Sequence, residues 1–214
     1  MQDCVELTGI VLKAEPIGEF DKRIVILTKE RGKIAAFAKG ARRINSRFMA
    51  PTSPFTFGTF WMYEGKASYN VKEVSAANYF ESLRQDFEGA YYGMYFMELC
   101  DYCTRENNDE KEILKLLYQS LRALTHNSIS KRLVKAVFEI KIVVLNGEFP
   151  GIPMGVFENA TRYAVSFIVQ TPIEKLYTFT VRESVLDELE KIAAKIRKDC
   201  MPGRFKTLEI LQSL

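Results

Sequence analysis

Residues 22–47 read KRIVILTKERGKIAAFAKGARRINSR. The stretch holds nine basic residues (Lys22, Arg23, Lys29, Arg31, Lys33, Lys39, Arg42, Arg43 and Arg47) and one acid, Glu30, a net +8 in a chain whose total is +3. Charge gathered in this way is an electrostatic footprint, and its usual partner is a polyanion. The bland alternative is a set of solvated strand faces and loop ends. The same stretch also carries the fold. FDKRIVILTK, residues 20–29, has strand character, Arg31-Gly32 reads as a tight hairpin connection, and KIAAFAKG, residues 33–40, as the next strand. In that strand Ile34, Ala36 and Ala38 share one face, while Phe37 shares the other with Lys33 and Lys39. Residues 41–53, ARRINSRFMAPTS, read as a basic loop.

Working outward, residues 4–16 alternate as a strand whose apolar phase changes after Gly9, from Val5 and Leu7 to Ile10, Leu12 and Ala14. A one-residue phase change at a glycine predicts a β-bulge. Pro16-Ile17-Gly18-Glu19 reads as a turn. Residues 54–65 form a fourth strand with a similar change at Gly58, and residues 67–77 a fifth. Of the face pairs Phe60/Met62 and Trp61/Tyr63, one is expected to be less buried. Five short strands with bulges and a basic surface predict a small closed barrel of the OB type.

From Leu83 the period becomes helical. Phe87, Tyr91, Tyr95, Leu99 and Cys103 predict one apolar stripe, Leu114, Leu117, Leu121 and Leu124 a second, and Leu133, Val137, Ile140 and Val144 a third, on a central buried helix that ends at Gly147. Residues 148–182 read as an irregular insert with strand-like runs at Tyr163–Val169 and Leu176–Val181. Val185, Leu189, Ile192 and Ile196 return to helical spacing, and Phe205, Leu208 and Leu211 suit a last short helix. The fold class is thus α+β in two domains: a barrel over residues 1–80 and a mostly helical domain over residues 81–214. Charge follows the split, with a net of +4 in the first part and −1 in the second.

At 214 residues and 47% hydrophobic, the chain can bury a substantial core. No apolar run reaches the roughly 18–20 residues that span a bilayer. MQDCVELTG at the N-terminus has neither the basic head nor the apolar segment of a signal peptide. These features predict a cytoplasmic protein with no membrane partner. The four cysteines, Cys4, Cys100, Cys103 and Cys200, include one C-x-x-C pair, and His126 is the one histidine. A structural zinc site needs four ligands, so no metal and no cofactor are expected. Most acid–base and nucleophilic catalysis leans on histidine, so an enzyme is not expected either.

An OB barrel with such charge suits single-stranded nucleic acid, held by cations and by aromatic rings on which bases stack. Phe37 and Phe48 are the aromatics nearest the charge. Two other readings stay open: a protein adaptor whose basic face meets an acidic partner, and a metal-dependent nuclease using Glu19 and Asp21. In the helical half, Lys131, Arg132 and Lys135 could receive an acidic peptide tail, or form an ordinary solvated face.

GIVLKAEPIGEFDKRIVILTKERGKIAAFAKGARRINSR resembles the opening of the RecO family of recombination and repair proteins. The family's G-x-V-L strand falls at Gly9 to Leu12 and its G-E-x-D/S turn at Gly18 to Asp21. Its L-T-x-x-x-G-K hairpin falls at Leu27 to Lys33, and its A-x-G-A-R-R-x-x-S-R loop at Ala38 to Arg47. The likeness covers about residues 5–80. It is looser in FEIKIVVLNGEFPGI (138–152) and MPGRFKTLEIL (201–211). The resemblance implies an OB barrel followed by a helical domain, and an activity without catalysis. That activity would be to bind single- and double-stranded DNA, anneal complementary strands, and help load recombinase onto strands coated by single-strand-binding protein, at the nucleoid. The implied partners are DNA, a RecR-type protein and the acidic tail of single-strand-binding protein. By matching position the DNA-binding role falls on Lys39, Arg42, Arg43 and Arg47, then on Lys33 and Lys22, with Phe48 beside them. Many members carry a four-cysteine zinc site in the insert. Here Gly147 to Val181 holds no Cys or His, so zinc is not expected.

Overall fold

The computed structural model describes residues 4–66 and 68–213. Ala67, the first residue of the expected fifth strand, lies outside them. Two compact units form: the barrel through Glu81 together with Met97–Leu114, and Ser82–Phe96 together with the chain from Lys115 onward. Met97–Leu114 thus belongs to the barrel unit.

In the first unit β1 (Cys4–Ile17), β2 (Asp21–Thr28), β3 (Gly32–Ala38), β4 (Phe57–Glu64) and β5 (Tyr69–Asn78) close into a barrel in the order β1-β2-β3-β5-β4. Neighbours are antiparallel except β3 and β5, which run parallel. This is the five-stranded OB-type arrangement the alternation predicts. Leu7, Val11, Ile24, Ile26, Ile34, Ala36, Ala38, Phe60 and Met62 fill the interior. Trp61 and Tyr63 are the less buried pair on β4.

The bulge in β1 sits elsewhere than expected. Residues before and after it pair as Val11 with Ile26 and Lys13 with Val25, so the extra residue is Leu12, not Gly9. Leu7 and Val11 point into the interior; Ile10 and Leu12 do not join that cluster. Gly9 serves close approach instead. It lies opposite Gly58. A Cβ on Gly9 would stand 2.4 Å from the Leu27 carbonyl oxygen, and one on Gly58 2.2 Å from that of Ser75. Only bare backbone fits where the strands cross, which is the other use of glycine in a sheet. Beside Gly58 the β4–β5 register does shift, with Ala77 as the extra residue.

The β2–β3 hairpin turns at Gly32, whose φ of 63° is left-handed. Thr28 ties the turn by donating from Oγ1 to the Gly32 carbonyl and accepting from the Arg31 N–H. The hairpin is held against Arg105–Asn107. Lys33 N–H donates to the Arg105 carbonyl (3.0 Å) and Asn107 N–H to that of Arg31 (2.8 Å).

The helical elements are α1 (Glu81–Gln85), α2 (Phe87–Cys103), α3 (Lys111–Leu124), α4 (Lys131–Leu145), α5 (Asn159–Gln170), α6 (Glu183–Cys200) and α7 (Lys206–Leu211). On α2 the buried face is set by Tyr95, Phe96, Leu99 and Cys100, whereas Phe87, expected on the stripe, is 66% exposed. Helix α4 is buried from Leu133 to Val143 at every position but Lys135, as its wide apolar surface predicts. Its Glu139 is fully buried and accepts from the Tyr95 hydroxyl at 2.5 Å and from Lys135 Nζ at 3.3 Å.

The expected strand-like run at Tyr163–Val169 is helical, within α5. Thr161, Ala164, Val165 and Ile168 are its buried residues, a spacing of one helix face, so packing overrides the strand propensity of the β-branched residues. The run at Leu176–Val181 is not a strand either, following a short 3-10 turn at Ile173–Lys175. Phe167 and Phe179 meet edge to face, 5.0 Å apart. Lys141 Nζ, buried, donates to the carbonyls of Ile168, Val169 and Thr171 at 2.8–3.1 Å and so caps the end of α5.

Candidate nucleic-acid interface

The segment between β3 and β4 is a chain of tight turns. The N–H groups of Arg43, Ser46, Met49 and Ser53 each donate to the carbonyl three residues back, at 3.1 Å. Asn45 takes the left-handed conformation that asparagine tolerates. Several anchors fix the segment to the barrel. Ala41 and Thr52 are fully buried. Phe48 packs against the barrel core. The Phe55 N–H donates to the Val11 carbonyl at 3.0 Å. Asp21 accepts the Gly40 N–H at 2.7 Å, which fixes where the segment leaves β3.

On this frame Lys39, Arg42, Arg43 and Arg47 are all exposed. Among the described residues none of the four is ion-paired to a carboxylate. Arg42 reaches back to the β1–β2 turn, donating to the Gly18 and Glu19 carbonyls at 3.3 and 3.2 Å. The Arg43 guanidinium stands 5.2 Å from the centre of the Phe20 ring. Arg47 donates to the Lys72 carbonyl on β5 at 2.9 Å and covers the Phe48 ring at 4.8 Å. Positive charge therefore runs from the β1–β2 turn across the loop to β5, where exposed Lys72 stands over Tyr63 at 5.5 Å. Weak hydrogen bonds to carbonyls leave the guanidinium charge uncancelled, so these groups can neutralise phosphates.

The other expected cations differ. Lys33 pairs with Asp101 (3.0 Å) and also donates to the Asp101 carbonyl, and Lys13 binds the same carboxylate. Burial alone would raise the Asp101 carboxyl, but hydrogen bonds from Lys13 and Lys33 outweigh it and hold it below the ordinary range. Lys33 is thus a structural cation. Lys22 is turned under the loop, donating to the Met49 carbonyl (2.9 Å) and Thr52 Oγ1 (3.3 Å), so it supports the interface from beneath. Arg23 and Arg31 face Glu15 and Glu64 at 3.6 and 3.5 Å. Phe48 is half-buried and packed against the barrel core, which leaves its ring less open to a base than an exposed aromatic. Lys72 lies far along the sequence from the basic stretch, so local charge clustering does not mark it. Its neighbour at this face is set only by barrel closure.

Residues 1–80 match the family described as Recombination protein O N terminal, and residues 84–151 that described as Recombination protein O C terminal. The chain belongs to the RecO family. Its relatives include the DNA repair protein RecO of Acetivibrio thermocellus, 28% identical over 98% of this chain and 97% of that one. The DNA repair protein RecO of Clostridium novyi is 26% identical over 96% and 93%. That of Shouchella clausii is 31% identical over 75% and 63%.

Outside the barrel unit, the expected peptide-binding cations of this RecO chain are occupied. Lys131 pairs with Asp86 (2.7 Å) and Glu88 (3.1 Å), Arg132 with Asp187 and Glu190 (both 2.6 Å) and with Glu183, and Lys135 with the buried Glu139. An acidic tail would have to displace these carboxylates. Asp21, which the nuclease reading pairs with Glu19, accepts the Gly40 N–H. Cys100 is fully buried and Cys103 half-buried. Burial pushes both thiols up, that of Cys103 to about 12. Among the described residues no group of three or more His, Cys, Asp or Glu is placed to hold a metal, and no helix is long and apolar enough to cross a membrane.

Proposed function

We propose that this barrel is a DNA-binding module that brings complementary strands together, as a recombination mediator in DNA repair. The observation that carries the reading is the row Lys39, Arg42, Arg43 and Arg47, exposed on an ordered loop with no carboxylate partner among the described residues. Two DNA strands repel through their phosphates. Cations that neutralise both lower that repulsion and let base pairing nucleate, with no covalent step. The names of the relatives, DNA repair protein RecO, support the repair setting. The resemblance adds single- and double-stranded DNA, a RecR-type protein and single-strand-binding protein as partners, and recombinase loading as the outcome.

The test is annealing of complementary oligonucleotides, followed by fluorescence quenching. The protein is expected to accelerate pairing, and the Arg42→Ala/Arg43→Ala variant to lose most of the acceleration while its melting temperature holds. An equal rate with both proteins would remove the electrostatic mechanism. Absence of DNA affinity at low salt would instead support the adaptor reading.

A further inference from the structure

The cationic loop is not uniformly polar. Ile44, at its tip between Arg43 and Asn45, is 89% exposed, and Met49 is 44% exposed. Phe20 (40%) and Ile17 (41%) project from the adjoining β1–β2 turn. The two segments are joined: the Arg42 N–H donates to the Phe20 carbonyl at 2.8 Å, and Arg43 stands over the Phe20 ring. Ile44 gains almost nothing from folding, because nearly all of its surface stays in water, and the open part of Phe20 gains none. The tight turns that present Ile44 also keep it from folding back.

We propose that Phe20 and Ile44 form a contact site for unpaired nucleobases, set among the cations that hold the phosphates. This rests on the DNA-binding reading above. The occupant is argued from charge and shape together. A single strand offers phosphates to Arg42, Arg43 and Arg47, and bare base faces within one nucleotide of them. A duplex offers the phosphates but hides its base faces in the stack. Stacking on an aromatic ring is sequence-tolerant, because every base has a π-face. An exposed aliphatic side chain beside bound phosphates can wedge between bases and unstack them. Arg43 over Phe20 completes a second stacking surface, since a guanidinium plane also receives a base. The site would give the barrel a preference for single strands and hold their bases open for a complementary strand.

The experiment uses the full chain and a 20-nucleotide single strand carrying 2-aminopurine, whose fluorescence rises when the base unstacks. Wild-type protein is expected to raise the signal. The Phe20→Ala/Ile44→Ser variant is expected to lose the rise, bind the single strand on the order of tenfold more weakly, and keep its affinity for duplex within about twofold. Its salt slope should stay at the wild-type value, because no phosphate contact is removed. Phe20→Trp with Ile44 intact should restore or exceed the wild-type signal. Both side chains project from the surface, so melting temperature should hold, and the Trp variant reports on the site whether or not it does.

A full 2-aminopurine rise in the double variant would overturn the proposal, as would equal loss on single strand and duplex. So would unchanged DNA binding accompanied by lost binding to vesicles of phosphatidylglycerol, which would assign the patch to a lipid surface. These outcomes differ from failure of the DNA-binding reading, which shows as no affinity for either DNA form by the wild-type protein.

Discussion

Charge on the loop can be counted in a salt titration. Each phosphate neutralised on a single strand contributes about −0.7 to the slope of log K against log salt. Lys39, Arg42, Arg43 and Arg47 together should contribute about −2.8 if each meets one phosphate. Between 50 and 200 mM salt that is a loss of about 50-fold in affinity. Replacing Arg42 and Arg43 by Ala should halve the contribution to about −1.4, a loss of about sevenfold over the same range. Replacing all four should leave only what Lys72, Lys29 and the helical unit supply. Anisotropy of a labelled oligo(dT) gives the slopes directly. Arg42 also holds the Gly18 and Glu19 carbonyls, so a parallel Lys39→Ala/Arg43→Ala pair separates charge from turn stability. Equal slopes for wild type, both pairs and the quadruple variant would refute the placement of phosphates on this loop. The pair Arg23→Ala/Arg31→Ala has the same formal charge change but removes cations already facing Glu15 and Glu64. Its slope should move less.

Asp101→Asn should destabilise the protein at pH 7 by about 1–3 kcal/mol, because Lys13 and Lys33 lose a charged acceptor. The carboxyl is depressed in the folded state. Its contribution is therefore full above the unfolded value near 4 and fades as pH falls through the lower folded value, so urea midpoints of the two proteins should converge in acid. Gly58→Ala places a Cβ 2.2 Å from the Ser75 carbonyl oxygen and should cost about 1–3 kcal/mol or prevent barrel closure, read by thermal melting. Lys141→Met keeps the apolar stem but strips three carbonyls at the end of α5 of their donor. A loss of about 2–4 kcal/mol in urea denaturation is expected, and a loss under 0.5 kcal/mol would mean water replaces the ammonium.

The barrel was legible because its determinants are local. Alternation in Ile34, Ala36 and Ala38 fixes which face of β3 is inside, and Gly32 with Thr28 fixes the hairpin. What the sequence hides is decided by partners far along the chain. Gly9 looks like a bulge because two apolar phases meet there, yet its function depends on Gly58, 49 residues away, and the bulge moves to Leu12. The strand-like Tyr163–Val169 becomes helix because Ala164, Val165 and Ile168 have a face to bury, a fact absent from local propensity. The candidate site divides in the same way. Clustered basic residues mark the loop, but whether a cation is available depends on where the acids lie. Lys33 is consumed by Asp101, 68 residues on, and Arg132 by Glu183, Asp187 and Glu190 on α6. Lys39 and Arg42 differ from Lys33 in nothing a composition count can see. They differ because no carboxylate among the described residues forms an ion pair with them, and that leaves their charge uncancelled.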